Sequence, residues 1–360
     1  MGIVICVITS ILALTAGAAL ADRRSGTRTP YNTILDAVVG GGSTAAVAEV
    51  RNGDEIWAGS SGLAKANGDQ PPPATANFRA GSITKSFTAT VVLQLVGEGR
   101  LRLSDTIDHW LPGLLRDDST ITVRQLLQHT SGLPEYTTDM VDDAGIPKER
   151  YRTWSPRELV EKAERLPLEF RPGTRFQYSN TNYIVLGMLI EKVTGRPYAT
   201  EIEQRILRPL DLARTWLPGA SPEVQGPHAH GYVAVKKHGE LTRVDVTRFN
   251  PTIAGAAGEI ISTAGDLNRF YRALLGGKLL PPAQLKEMKH PGPSGDYGMG
   301  LEVTHLPCGT AYGHTGETPG YVTASLISAD GTRQITLSTT PFSGDSGSAE
   351  KALLKSALCA

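Results

Sequence analysis

Ser82-Ile83-Thr84-Lys85-Ser86-Phe87-Thr88-Ala89-Thr90-Val91-Val92-Leu93-Gln94-Leu95-Val96 is apolar or small at nearly every position, and Lys85 is its one charged residue. A helix of that composition has no polar face to give to water, so residues 83–96 are expected to form a helix buried on all sides at the centre of the protein. What lies on either side then decides the fold. Before it come a short helix over 31–39 and two strands, 44–50 and 55–59, joined by Asn52-Gly53-Asp54, a hairpin signal between apolar runs. After it the chain reads as helical over 123–128, 156–165, 181–193, 199–207, 264–275 and 283–289. Ser155-Pro156-Arg157-Glu158 is a capping box with proline at the first helical position, and Gly195 stands where a glycine stops a helix. Strands return over 300–304, 310–314, 321–328 and 333–339, the last two joined through Asp330-Gly331, and a helix over 349–358 closes the chain.

Strands at both ends with helices between them require the two ends to share one antiparallel sheet. The expected class is α/β in the α+β sense: a sheet of N- and C-terminal strands flanked by helices, with an inserted all-helical domain. Residues 22–81 and 255–360 are expected to form the sheet domain and 82–254 the helical one, with the site in the cleft between them. The chain has 360 residues, a formal charge of zero, 40% hydrophobic and 6% aromatic residues, which describes a globular protein with a deep core. It carries no basic stripe to neutralise phosphates, so nucleic acid is not an expected partner. Residues 1–21 hold no charged side chain and end in Ala19-Leu20-Ala21, the pattern of a secretory signal peptide. The mature protein is therefore expected outside the cytoplasm, as a monomer with no stable membrane insertion. Removing that segment removes Cys6 and leaves Cys308 and Cys359, which are expected to pair, a loop closure worth about 4 kcal/mol.

Three short motifs carry chemistry. Ser82 and Lys85, three apart on a helix, share a face, and burial lowers a lysine pKa until it can accept the serine proton. Tyr178-Ser179-Asn180 offers a phenol that relays a proton and an amide that points the same way. His314-Thr315-Gly316 lies on a strand: His314 and Thr315 are expected to donate hydrogen bonds to substrate, Gly316 to leave room for a substrate backbone, and His314 to titrate between about pH 5.5 and 7.5. Each motif also has a plain structural reading as cap or core. Ser348-Ala349-Glu350-Lys351 repeats the first spacing and reads as the cap of the last helix. Gly344-Asp345-Ser346-Gly347 reads as a loop. His228 and His230 have no carboxylate or cysteine near them in sequence, so no metal and no cofactor is expected.

In combination and order, the three motifs resemble the S-x-x-K, Y-x-N and K/H-T-G set of serine β-lactamases and penicillin-binding proteins. The chain resembles the class C group, and within it secreted actinobacterial D-alanyl-D-alanine carboxypeptidases. His129-Thr130-Ser131-Gly132-Leu133 and Gly187-Met188-Leu189-Ile190-Glu191-Lys192 add to the likeness. The resemblance implies an acyl-enzyme on Ser82, proton transfer by Lys85 and Tyr178, and substrate positioning by Asn180 and Thr315. It also implies an oxyanion hole from the backbone N–H groups of Ser82 and Glu317. A small peptide or a β-lactam is the implied partner. Two residues depart from the carboxypeptidase pattern: Glu302 stands where an arginine and Glu317 where a threonine would serve the substrate carboxylate. Either these acids point to solvent, or the substrate presents an amide, ester or amine, as for a D-amino-acid amidase or aminopeptidase, an esterase or a thioesterase. A non-catalytic binder of β-lactams or wall fragments is the remaining class.

Overall fold

The computed structural model describes residues 29–116, 120–237 and 240–359; the signal-peptide reading of 1–21 lies outside the described residues. In chain order the helices are α1 (Pro30–Gly40), α2 (Thr84–Gly97), α3 (Ile107–Trp110), α4 (Val123–Leu127), α5 (Pro156–Ala163), α6 (Asn180–Thr194), α7 (Tyr198–Ile202), α8 (Gly255–Gly258), α9 (Ala264–Leu275), α10 (Pro282–Lys289) and α11 (Gly347–Cys359). The strands are β1 (Ser43–Asn52), β2 (Glu55–Gly62), β3 (Phe78–Arg79), β4 (Tyr232–Lys237), β5 (Glu240–Asp245), β6 (Ile261–Ser262), β7 (Glu302–Leu306), β8 (Gly309–Thr318), β9 (Tyr321–Ser328) and β10 (Arg333–Pro341).

One antiparallel sheet runs in the order β2-β1-β10-β9-β8-β7, so the N-terminal hairpin docks on the last strand of the chain. Its pleat sorts the side chains. Ala46, Ala48 and Val50 of β1 pack with Leu35 and Val38 of α1 and Leu353 of α11, while Val47 joins the larger core on the other face. Cys308, in the β7–β8 turn, is bonded to Cys359 at the end of α11, which pins that helix to the sheet. Helix α2 is buried from Thr84 through Leu93, as its composition demands, and each large apolar side chain so buried contributes about 1.5–3 kcal/mol. The Ser155–Glu158 capping box is formed at α5, and Gly195 adopts φ +75° to end α6.

The segment between the sheet halves is not purely helical. β4 and β5 form a separate two-stranded hairpin, and β3 pairs with β6 in a two-residue ribbon. The hairpin brings a carboxylate to a histidine that sequence placed apart from any acid: Asp245 Oδ2 lies 2.7 Å from His230 Nδ1. Among the described residues no group of three or more His, Cys, Asp or Glu is placed to hold a metal ion, and no helix is long and apolar enough to cross a membrane.

Two features position the cleft. β7 begins at Glu302, opposite Gly313, so β8 beyond Gly313 has an edge that β7 does not cover. The ribbon β3–β6 and the bond from Ala80 N to Ile260 O (2.8 Å) carry the chain into the turn at Ser82, beside that edge. Arg79 anchors the ribbon: its buried guanidinium donates to the carbonyls of Thr247 and Pro222 and lies 4.1 Å from the Phe249 ring centroid, and burial lowers its pKa to about 10.

Candidate active site

Ser82 sits in a single 3-10 turn, Gly81–Ile83, and α2 begins only at Thr84. The turn is closed by Thr84 Oγ1 donating to Gly81 O at 2.7 Å and accepting from Ile260 N at 3.0 Å. Gly81 needs its hydrogen side chain: φ is +56°, and a Cβ there would lie 2.8 Å from Glu317 N. Gly316 is the reciprocal case. A Cβ on it would lie 1.9 Å from Ala80 O and 3.1 Å from Ser82 N, so the room it leaves is filled by the Ser82 turn, not by a substrate backbone. This mutual approach sets the backbone nitrogens of Ser82 and Glu317 at one contact between turn and strand.

Lys85 Nζ donates to Ser82 Oγ (3.0 Å), Asn180 Oδ1 (2.7 Å) and Ala257 O (2.8 Å), which uses its three N–H directions when charged. Complete burial lowers its pKa to about 7, against the opposing pull of the Glu135 and Glu302 carboxylates, so a large fraction is neutral near pH 7. The Tyr178 ring centroid lies 4.8 Å from Lys85 Nζ, and burial pushes its phenol well above the usual range, with the Ser82 hydroxyl acting the other way. A phenolate is thus the costlier base and neutral Lys85 the cheaper one. Asn180 opens α6 beside it.

The Tyr178–Asn182 segment is held by a loop that sequence reading left without a role. Pro134 O accepts from Ser179 Oγ (3.1 Å) and Thr181 Oγ1 (2.6 Å), and Glu135 Oε2 accepts from Asn180 N (2.7 Å) in place of a side-chain N-cap. Ser131 Oγ donates to Asn182 Oδ1, and His129 Nδ1 accepts from Ser179 N (3.2 Å) and faces Asn182 Nδ2 (3.0 Å). The His129-Thr130-Ser131-Gly132-Leu133 motif therefore clamps the tyrosine segment. Only its repetition among similar sequences, not spacing, could have signalled this.

His314 is not at the surface of the cleft. On a strand, neighbours face opposite ways, and here Thr315 faces the cleft while His314 turns inward and is 1% exposed. The bonds assign its tautomer. Because His129 Nδ1 accepts from a backbone N–H, its Nε2 carries the hydrogen toward Tyr297 Oη (3.3 Å). The Tyr297 hydroxyl then donates to His314 Nε2 (3.0 Å), and His314 Nδ1–H is left to Thr315 O, with Glu302 Oε1 3.4 Å away. Both ring nitrogens are spent inside the protein, and burial lowers the pKa despite the Glu302 charge. The expected donation from His314 to substrate is overturned by this burial, which also moves its titration below the usual histidine value.

Glu302 and Glu317 do not leave the site. Both line a cleft of about 800 Å³ together with Ser82, Tyr178, Asn180, Thr315 and Gly316. Glu302 Oε1 accepts from Thr315 Oγ1 at 2.6 Å, at the start of the uncovered edge. Arg333 is paired with Asn52 at the far end of β10 and does not line the cleft. No arginine or lysine is among the described residues that do. The opposite wall is apolar, built by Tyr136, Val141 and Pro147 on one loop, Val233 on the hairpin, and Phe249 and Ile253 before α8. Arg150 ties that loop to the hairpin through the carbonyls of Arg248 and Asp245, and Tyr136 Oη donates to Ile253 O.

With the serine, the buried lysine and the tyrosine in one contact, the comparison with known proteins is decisive for family: the Beta-lactamase family model matches residues 33–357. The chain belongs to the beta-lactamase family. It is 30% identical over 296 residues to Penicillin-binding protein 4* of Bacillus subtilis (strain 168), a match covering 78% of this chain and 64% of that relative's length. Among solved structures it is similar to a D-stereospecific amidohydrolase from Streptomyces sp. (39% identity, TM-score 0.82, 91% of this chain and 98% of that one). It is also similar to the D-amino acid amidase from Ochrobactrum anthropi SV3 complexed with L-phenylalanine (29% identity, TM-score 0.79, 90% and 96%). The Ser82–Lys85, Tyr178–Asn180 and His314–Gly316 motifs all fall inside the matched residues.

Proposed function

We propose that this protein is a serine amidohydrolase that cleaves amides, esters or aminopeptides of D-amino acids through an acyl-enzyme on Ser82. The observation that carries the choice is the Glu302–Thr315 pair. A D-alanyl-D-alanine carboxypeptidase must receive a free carboxylate beside the scissile bond, and here a carboxylate already occupies that edge with no cation in the lining. Two anions a few ångströms apart at an effective dielectric of about 20 repel by about 4 kcal/mol, close to a thousandfold in binding. An uncharged amide or an amine suffers no such penalty. The similarity to the D-stereospecific amidohydrolase and to the D-amino acid amidase supports the same reading. The apolar wall suits a hydrophobic side chain on the acyl part.

In this reading neutral Lys85 takes the Ser82 Oγ proton as Oγ attacks the substrate carbonyl. The oxygen of the tetrahedral intermediate is held by the Ser82 and Glu317 N–H groups. The proton passes from Lys85 through Tyr178 to the departing nitrogen, the C–N bond breaks, and an ester to Ser82 remains. Water then attacks that ester, giving its proton back along the same path, and the free acid leaves. Asn180 fixes Lys85 by accepting its N–H at Oδ1. The Cys308–Cys359 bond supports an exported, oxidising location, in line with the signal-peptide reading. The direct test is intact-mass spectrometry after mixing with benzylpenicillin or an activated ester. A covalent increment on the Ser82 peptide, lost in Ser82→Ala, supports the acyl-enzyme; an unmodified protein that still hydrolyses D-amino-acid amides refutes it.

A further inference from the structure

A second concave site lies away from the catalytic cleft and shares no lining residue with it, a groove of about 380 Å³ between β1 and α9. Its floor comes from three neighbouring strands in register, with Arg51 of β1 flanked by Ile56 of β2 and Gln334 of β10. Its wall is the first half of α9, and Arg214 closes one end. Four guanidinium groups face it, from Arg51, Arg214, Arg269 and Arg272, in a chain whose formal charge is zero.

Two of these arginines are engaged. Arg269 pairs with Asp266, which is buried and already accepts from Arg214 N and Thr215 Oγ1. Arg51 Nε donates to Gly53 O at 2.8 Å, and its Nη2 lies 3.5 Å from the fully exposed Asp54. Among the described residues Arg214 and Arg272 make no side-chain ion pair or hydrogen bond. Glu49 is the remaining acid in the lining, and Asn268 Nδ2 donates to it at 3.0 Å. The groove thus keeps an excess of positive charge that nothing within it neutralises.

A second, independent observation marks the same place. Gln334 is 1% exposed; its Nε2 donates to Asn268 O at 2.8 Å, which fixes the amide orientation, and its Oε1 has no hydrogen-bond partner. An unpaired buried carbonyl costs about 1–3 kcal/mol unless something brings it a donor. Unpaired guanidinium forks on a groove with an orphan carbonyl beneath its floor match a multiply charged oxyanion such as a phosphate or a polycarboxylate.

We propose that the groove between β1 and α9 is an anion-binding site for a multiply charged oxyanion of the phosphate or polycarboxylate class. The anion sits on the unpaired Arg214 and Arg272, within the positive field that Arg51 adds.

The test is calorimetric titration of the full chain with inorganic pyrophosphate and, separately, citrate, at fixed ionic strength. Saturable one-to-one binding is expected, weakened at least about tenfold in Arg214→Gln/Arg272→Gln and unchanged in the control Arg157→Gln/Arg171→Gln, whose residues lie outside the groove. Hydrolytic activity should survive in both variants, which verifies their folding. Tighter binding of pyrophosphate assigns a phosphate source and tighter binding of citrate a carboxylate source. Absence of saturable heat with either probe, or equal affinity in the groove variant, overturns the proposal.

Discussion

Glu302 and Thr315 are joined by a 2.6 Å hydrogen bond across the start of the edge that β7 leaves open on β8. The pair puts a negative charge where the resemblance to carboxypeptidases requires a positive one. Substituting Glu302→Gln removes that charge while keeping an acceptor for Thr315. We expect kcat/KM for peptides ending in a free carboxylate to rise by about ten- to a hundredfold, with that for uncharged amides changed by less than about threefold. Parallel kinetics on both substrates check it; an equal change in both would show that Glu302 does not face the leaving group.

Activity should follow Lys85. Its pKa is lowered to about 7, and the neutral form is the base, so kcat/KM should rise with pH, bend near 7 and level above it. The nearby carboxylate of Glu135 raises that pKa, so Glu135→Gln should move the bend to lower pH. The sign also reaches stability. Lys85 titrates in the folded state near 7 and in the unfolded state near 10.4, so folding gains stability as pH rises between those values and holds none of that gain below about 7. A pH–rate profile with its bend unmoved in Glu135→Gln would remove the carboxylate from the field at Lys85.

His314 should stay silent over the same range. It is buried, both its nitrogens are bonded, and its pKa is lowered. Its ring resonances in a histidine-selective NMR titration should therefore show a midpoint below the usual histidine value. A midpoint for His314 near 6.5 would contradict the buried assignment.

Gly316→Ala tests the approach of strand and nucleophile turn. The added Cβ would meet Ala80 O at 1.9 Å, so β8 must move off the turn. The cost should be about 1–3 kcal/mol in stability, and displacing the Glu317 N–H should lower kcat about a hundredfold with less change in KM. Thermal melts and steady-state kinetics read the two effects; wild-type kcat in the variant would separate this contact from the oxyanion site.

Much of this was legible before any coordinates. The all-apolar run 83–96, the hairpin at Gly53 and the return to strands after residue 300 dictate a shared sheet around a buried helix, because each pattern has one way to bury its apolar face. The β4–β5 hairpin was not legible: β5 is almost wholly exposed, and the two strands carry lysine, glutamate and arginine, so neither alternation nor a strong turn marks them. Within the site, Ser82 and Lys85 are neighbours in sequence and their contact follows from helical spacing. The inward turn of His314 depends on which face of β8 meets the cleft, and its relay to His129 joins residues far apart in the chain. Pleat phase and long-range pairing are set by packing, which no local motif encodes.

The central claim is that Ser82 performs acyl transfer on D-amino-acid substrates whose leaving group carries no negative charge. Its most direct test compares kcat/KM for D-phenylalanine amide with that for a peptide ending in D-alanyl-D-alanine, in the wild type and in Ser82→Ala. The account predicts a preference of at least about a hundredfold for the amide, and loss of both activities in the variant. A preference for the D-alanyl-D-alanine peptide, or amide hydrolysis that persists in Ser82→Ala, would contradict it.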